Sequence, residues 1–108
     1  AQVEMHHYEP LFKDMRQDKQ LLNLFKDVMT EFGESPRILP DDEADGSTDV
    51  GNVSYEVPTA QPTLQIGLGL EAHTPEFTCA AGSDYGLDQA IKGAKIMAVV
   101  ALRYAMCK

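Results

Sequence analysis

The chain has 108 residues, a length that fits one compact unit and leaves little room for a second hydrophobic core. Its 44% hydrophobic and 24% charged residues are those of an average globular protein, which excludes a disordered or fibrous chain. The net charge of -8 repels phosphate groups, so nucleic acid and anionic membranes are excluded as expected partners.

The cysteines and the apolar runs bear on the cellular compartment. Cys79 and Cys107 show no spacing typical of a disulfide framework, and neither has a neighbouring base that would make it a nucleophile. The start of the chain has no basic region followed by an apolar stretch. The longest apolar run, residues 96–102, is far shorter than the roughly 20 residues of a membrane helix. We therefore expect reduced thiols and a cytoplasmic protein.

The first elements in chain order are an extended segment and a helix. Residues 3–8 alternate loosely between apolar and polar and end before Pro10, which predicts a short strand. Asp18 is a suitable N-cap, and Gly33 stands where a helix C-terminus favours positive φ. Between them, one helical face carries the apolar residues Leu21, Phe25, Val28, Met29 and Phe32. The sequence predicts an amphipathic helix over this stretch.

The middle of the chain is predicted to be a loop followed by short strands. Residues 34–46 carry two prolines and an acidic cluster without periodicity, which indicates a surface loop with solvated charges. Residues 53–57 and 63–67 have strand-like composition but are separated by Pro58 and Pro62. Because proline cannot donate to a strand ladder, we expect edge strands or interrupted strands.

A second helix is predicted from Ser83 or Asp84 almost to the last residue. Its predicted inner face is an alanine-rich apolar stripe made of Leu87, Ala90, Ile91, Ala94, Met97, Ala98, Ala101, Leu102 and Ala105. Residues 96–102 are apolar on all sides, so we expect them to be covered on more than one side. Two long helices packed on short strands cannot provide that cover. The order of elements therefore predicts an α/β fold that is incomplete without upstream strands.

Three histidines are candidates for chemistry. His73 follows a predicted strand and a glycine-rich turn, the position at which open α/β sheets collect ligands. Considered by position alone, an ordinary loop histidine is a better interpretation than a metal ligand. The flanking Glu71 and Glu76 either orient its ring or are solvated surface residues. His6 and His7 are adjacent in a strand-like segment, so their rings point to opposite faces and we interpret them as structural or surface residues.

The turn GSTDVG at residues 46–51 is a second candidate. Its residues Ser47, Thr48 and Asp49 offer hydroxyls and a carboxylate that could grip a substrate carboxylate or an oxyanion. A turn that only caps itself explains the same residues, and without further information it is the favoured interpretation.

Three segments carry a resemblance to a known superfamily: GSTDVGNVSYEVPTAQPTLQIG, AHTPEFTCAAGSD and AIKGAKIMAVVAL. They resemble the end of the catalytic domain in aminoacylase-like and carboxypeptidase G-like two-zinc metallopeptidases, in particular aminobenzoyl-glutamate hydrolases and related dipeptidases. The resemblance implies an α/β sandwich into which a smaller lid domain, used for dimerisation, is inserted. It also implies that residues 1–8 are the strand returning from the lid, and that residues 9–108 are the C-terminal part of the catalytic domain.

The resemblance further implies a site for two divalent metal ions, zinc or else manganese or cobalt, with His73 as one ligand. It implies that Ser47, Thr48 and Asp49 lie near the substrate, with no metal assigned to Asp49. No catalytic residue lies in this segment, because the family's HxD motif, paired glutamates and general base belong to upstream segments.

The activity implied for the whole enzyme is metal-assisted hydrolysis of an N-acyl amino acid, an aminobenzoyl-glutamate-type amide or a dipeptide. The expected partners are this substrate, the rest of the protein's own catalytic domain and a second subunit bound through the lid. We expect the chain by itself to be inactive.

Two other functions are compatible with the sequence. A small acidic protein-interaction module, whose final helix docks on a partner, is indicated by the apolar stretch at residues 96–102. A non-catalytic relative retained as a structural subunit is the third interpretation. The sequence upstream of Ala1 distinguishes them, since an HxD motif and paired glutamates favour the enzyme and a start codon directly before Ala1 favours the module.

Overall fold

The structure is helical in its described part. The computed structural model describes residues 1–40, 43 and 46–106, and within these ranges it contains four α-helices and no β-strand. They are α1 (Lys19–Glu31), α2 (Val50–Val53), α3 (Pro75–Ala81) and α4 (Asp84–Met106). Cys107 and most of the predicted acidic cluster lie outside the described residues.

The predicted first helix is confirmed as α1. Asp18 is its N-cap, with an extended backbone and a side-chain Oδ1 that accepts a hydrogen bond of 2.8 Å from the Leu21 N–H. Beyond the helix, Gly33 takes a φ of 83°, a conformation that glycine adopts without steric cost. The apolar face between these two residues turns Val28 and Met29 toward the core.

The hydrophobic core lies between α1 and α4. Its buried residues are Val28 and Met29 from α1 and Ile96 and Val100 from α4. Partly buried hydrophobic side chains pack around them, namely Leu21, Leu24, Phe25, Phe32, Leu64 and Val99. Because each fully buried side chain of this kind contributes about 1.5 to 3 kcal/mol, this contact dominates the tertiary stability of the described part.

Two ion pairs flank the contact between α1 and α4. Arg103 donates hydrogen bonds of 2.6 and 2.8 Å to the two carboxylate oxygens of Glu31. These bonds hold the pKa of Glu31 below its ordinary value and raise the pKa of Arg103. Lys92 Nζ lies 2.6 Å from Glu34 Oε1, just beyond the end of α1. Water screens such pairs, so they orient α4 on α1 more than they stabilise it.

The predicted α/β sandwich is wrong for this chain. In the described residues, segments 3–8 and 63–67 are irregular and form no ladder, and segment 53–57 begins at the last residue of α2 and continues in turns. Strands are stabilised by hydrogen bonds to a paired neighbour, and Pro58 and Pro62 remove two donors. The segments of strand-like composition are therefore irregular chain and turns, and the two long helices pack on each other instead.

The long helix α4 buries the face opposite to the predicted one. Its buried residues are Gly86, Gln89, Ile96 and Val100. Every residue of the predicted inner stripe is exposed, including Leu87 at 54% and Ile91 at 55%. Leu87 and Ile96 point in opposite directions because nine residues make about two and a half helical turns. The exposed set, Leu87, Ala90, Ile91, Ala94, Met97, Ala98, Ala101, Leu102 and Ala105, is termed the outer stripe.

The described chain is less compact than a closed domain of its length. Its radius of gyration is 16.9 Å, whereas about 13 Å is typical of a domain of this size. The N-terminal segment contributes to this value, since Val3, Met5 and Tyr8 are almost fully exposed. As for membranes, none of the helices in the described ranges has both the length and the apolar character needed to span a bilayer.

We expect Ile96→Ala to lower the free energy of unfolding by about 2 to 4 kcal/mol, because it leaves a cavity between α1 and α4. Ile91→Ala is a matched control on the same helix and should change that free energy by no more than about 0.5 kcal/mol, since Ile91 is half-exposed. Urea unfolding followed by circular dichroism measures both. Equal effects of the two substitutions would contradict this position of the core.

We also expect the 108-residue chain to self-associate, because the outer stripe exposes a continuous apolar surface. The double substitution Leu87→Gln and Ile91→Gln should reduce this association in sedimentation velocity measurements. The control is Val3→Gln with Met5→Gln, which removes two exposed apolar side chains elsewhere without changing the net charge. A wild-type chain that stays monomeric over the measured concentration range would count against the expectation.

Candidate functional site

His73 lies in an exposed loop directly before α3. Its φ is 65°, in the left-handed region, and it is the only non-glycine residue with positive φ in the described part of the chain. Histidine, like asparagine, occurs in this region more often than most residues, but the conformation costs about 1 kcal/mol or more. The strained backbone presents the imidazole to solvent, where a group from outside this chain can reach it.

The start of α3 fixes the backbone on one side of His73. Thr74 is the N-cap, and its Oγ1 accepts a hydrogen bond of 3.2 Å from the Phe77 N–H. The same hydroxyl donates a hydrogen bond of 2.8 Å to the Glu71 carbonyl oxygen, which closes the turn around His73. Pro75 occupies the first helical position, where its missing N–H costs nothing.

On the other side of His73, the loop is tied to α4. The buried Gln89 donates hydrogen bonds of 2.9 Å to the Gln65 carbonyl oxygen and 3.2 Å to the Tyr85 hydroxyl. Leu64 packs against the core and lies close to Gly93. The segment leading to His73 is therefore anchored to the same helix against which α3 packs.

Glycine 86 allows α3 to approach α4 closely. A side chain at this buried position would fall on the carbonyl oxygens of Ala80 and Ala81, at the end of α3. No helix was predicted between the glycine-rich turn and the final helix, so α3 was missed. The signal was present in the sequence, because Thr74 followed by Pro75 and Glu76 is typical of a helix N-terminus.

The second candidate, the turn at residues 46–51, leads into the single helical turn of α2. Thr48 Oγ1 accepts a hydrogen bond of 3.3 Å from the Val50 N–H, so this hydroxyl caps its own turn. The Asp49 side chain makes no capping hydrogen bond and is exposed, as is Ser47. Two of the three predicted substrate-contacting side chains are therefore accessible to a ligand.

A charged cluster lies beside this turn. Tyr55 donates a hydrogen bond of 2.6 Å to Asp14 Oδ1, and the Arg16 guanidinium and Lys13 ammonium lie 3.8 and 4.5 Å from the centroid of its ring. This hydrogen bond lowers the pKa of Asp14 and raises the pKa of Tyr55, because it favours the carboxylate and the protonated phenol. The cluster joins the segment before α1 to the residues that follow α2.

The His73 loop and the turn at residues 46–51 are held in place by different parts of the fold. In the described part, α3 packs on α4, and no helix contact joins α2 to α3. No group of three or more His, Cys, Asp or Glu side chains within the described ranges is arranged to hold a metal ion. A zinc site requires at least three protein ligands, so His73 alone does not fit a complete zinc site and the other ligands would have to come from outside the described residues.

Two concavities lie on the surface, and neither His73 nor any residue of the turn at 46–51 lines them. One, of about 220 Å³, is lined by residues 6–12, and the other, of about 330 Å³, by residues 16–18 and 54–58. His6 and His7 are both exposed, and His6 Nε2 lies 3.6 Å from Glu4 Oε2. Cys79 is an exposed free thiol on α3.

Comparison with known proteins shows a partial similarity to dipeptidases. Over 57 residues, 53% of this chain, the sequence is 44% identical to Xaa-Arg dipeptidase of Homo sapiens, and the same values hold for Xaa-Arg dipeptidase of Mus musculus. The matched residues make up 13% of the length of each relative. No protein-family model matches the chain, and no solved structure matches it. Over about half of the chain, this similarity is consistent with the predicted relationship to dipeptidases.

We expect the 108-residue chain to bind zinc no better than an isolated surface histidine, because it supplies one ligand where a zinc site needs three or more. Calorimetric titration with Zn²⁺ should give no stoichiometric site. His73→Asn is the matched variant, since asparagine tolerates the left-handed backbone. A stoichiometric site of micromolar affinity that disappears in His73→Asn would contradict this interpretation of the ligand set.

Proposed function

We propose that this chain is the C-terminal part of the catalytic domain of a metal-dependent amidohydrolase or peptidase. Residues 1–8 would return from an inserted lid domain, and residues 9–108 would complete the catalytic domain. The substrate would be a dipeptide, an N-acyl amino acid or an aminobenzoyl-glutamate-type amide. The full-length enzyme would act in the cytoplasm as a homodimer formed through the lid.

One observation carries this proposal: the 44% identity to two Xaa-Arg dipeptidases over 57 residues. The geometry around His73 supports it. Backbone strain in a non-glycine residue persists only where surrounding structure maintains it, and such positions cluster at functional sites. Here the hydrogen bond from Thr74 to the Glu71 carbonyl oxygen closes the turn at His73, and Gln89 anchors the chain earlier, at Gln65.

The role proposed for His73 is that of one metal ligand in the full-length protein. Its exposed imidazole is available to a site whose remaining ligands lie on other segments, and zinc, manganese or cobalt ions accept such a ligand. In an enzyme of this class, the pair of metal ions supplies the activation of the attacking water. Within this chain, Glu71 and Glu76 are exposed and close to His73 in sequence, so either could accept a hydrogen bond from its second ring nitrogen.

The substrate-contacting role proposed for Ser47, Thr48 and Asp49 depends on the same resemblance. The exposure of Ser47 and Asp49 supports it, since both side chains can reach a ligand. The Thr48 hydroxyl already receives the Val50 N–H, so it would contribute as a donor and keep its capping bond.

A second candidate function is an acidic protein-interaction module, and the outer stripe of α4 favours it. This surface is apolar along most of the 23-residue helix and is exposed in the described chain. A non-catalytic relative would share this surface while lacking the upstream ligands. The upstream sequence distinguishes the enzyme from the interaction module and from the non-catalytic relative, because only the enzyme requires an HxD motif and paired glutamates there.

In the full-length protein, we expect His73→Asn to lower amide hydrolysis by about a thousandfold or more, because each tenfold loss of rate corresponds to only about 1.4 kcal/mol. The loss of one ligand should also lower the metal content. Asparagine is preferred over alanine, since it tolerates the left-handed φ and leaves the melting temperature of the metal-free protein nearly unchanged. The measurements are activity on a panel of dipeptides and N-acyl amino acids, and elemental analysis.

The control for this experiment is His7→Asn, which changes an exposed histidine outside the candidate site and should leave activity and metal content unchanged. Full metal occupancy with near-normal turnover in His73→Asn would show that His73 is not a ligand. Wild-type protein that hydrolyses no member of the panel would favour the interaction module.

A further inference from the structure

We propose that Asn52 is a positioning residue that holds the turn at residues 47–49 in its substrate-contacting place by fastening α2 to the backbone of residues 11–13. This inference rests on the function proposed above, because it concerns the same turn. Its physical basis, however, is a set of contacts that no part of that function requires.

The Asn52 side chain binds the segment before α1 through both of its polar atoms. Its Oδ1 accepts a hydrogen bond of 2.7 Å from the Lys13 N–H, and its Nδ2 donates a hydrogen bond of 3.1 Å to the Leu11 carbonyl oxygen. The two backbone groups belong to alternate residues, Leu11 and Lys13, so the side-chain amide binds a C=O and an N–H as a neighbouring strand would. The side-chain amide carries its acceptor and its donor on separate atoms, so it can bind both backbone groups at once.

Two neighbours of Asn52 extend the same attachment. The buried Gly51 lies so close to the segment that a Cβ at this position would fall on the Lys13 carbonyl oxygen. Ser54 Oγ accepts a hydrogen bond of 2.9 Å from the Arg16 N–H and donates one of 2.6 Å to the Gly51 carbonyl oxygen. The contacts of Asn52, Gly51 and Ser54 with residues 11–16 are termed the α2 clasp.

The α2 clasp fixes the position of the turn because backbone hydrogen bonds join the residues of the clasp to the residues of the turn. The Thr48 carbonyl oxygen accepts from the Gly51 N–H at 3.3 Å, and the Asp49 carbonyl oxygen accepts from the Asn52 N–H at 2.9 Å. A shift of Asn52 therefore moves Asp49 with it. In the part of the chain that the structure describes, α2 contacts no other helix, so residues 11–16 carry its placement.

A displaced turn should affect substrate binding more than the chemical step. If Ser47 and Asp49 contact the part of a substrate away from the bond that is broken, displacement of the turn weakens ground-state and transition-state binding equally. Such a change raises KM and leaves kcat nearly unaltered. A general loss of folded enzyme would instead lower the apparent kcat without raising KM.

The test uses the full-length protein with Asn52→Ala, Asn52→Asp and the control Asn23→Ala. Asn23 is an exposed asparagine on α1, which does not contact α2. We expect Asn52→Ala to raise KM about tenfold or more with kcat within about twofold of wild type. Asn52→Asp keeps the acceptor for the Lys13 N–H but sets a carboxylate oxygen against the Leu11 carbonyl oxygen in place of the donor, so it should raise KM at least as much as Asn52→Ala. Asn23→Ala should match wild type.

Hydrogen exchange followed by mass spectrometry measures how firmly the α2 clasp holds, independently of enzyme activity. Peptides covering residues 11–16 and 50–55 should exchange faster in both Asn52 variants and at the wild-type rate in Asn23→Ala. Faster exchange together with the KM rise supports the proposal. Faster exchange with unchanged KM would overturn the positioning role while leaving the proposed function intact, and unchanged exchange would show that Asn52 does not fasten the turn. Absence of hydrolysis by the wild-type protein would overturn the proposed function and this inference with it.

Discussion

The packing of α1 on α4 is the interaction on which the rest of this structure depends. The described chain has no sheet to organise it, and its buried apolar side chains are Val28, Met29, Ile96 and Val100. Neither helix has another large partner. Because α4 is a single continuous helix, the contact that fixes one part of it also fixes the parts that hold α3 and the loop before His73. The core therefore fixes where α3 and the segment leading to His73 lie.

The two long helices, α1 and α4, were predictable because their signals are local. Asp18 and Gly33 bound α1 by their own side-chain and backbone properties, and the periodicity between them is strong. Strand pairing was not predictable in this way, because an extended segment becomes a strand only when a partner lies beside it. The buried face of α4 could not be predicted from the sequence either. Both faces are apolar, and the position of α1 decides which one is covered.

Some features of the candidate site were also predictable from the sequence, and others were not. That His73 stands in a loop before the last helix was predictable, but its left-handed backbone results from the bonds of Thr74 and its neighbours. The self-capping of the turn by Thr48 was foreseen as the simpler interpretation, and it holds together with the exposure of Asp49. Asn52 had no signal, because its partners lie about 40 residues earlier in the chain and are backbone groups that any residue type would offer.

The sequence distance between the two long helices affects how the protein is made on the ribosome. Ile96 follows Met29 by 67 residues. At a synthesis rate of about 5 to 20 residues per second, α1 is complete roughly 3 to 14 s before its partner residues exist. A 13-residue helix is marginal in water without a partner, so the nascent chain displays Phe25 and Val28 during this interval. The segment around these two residues is therefore where a chaperone that recognises apolar side chains would bind the growing chain.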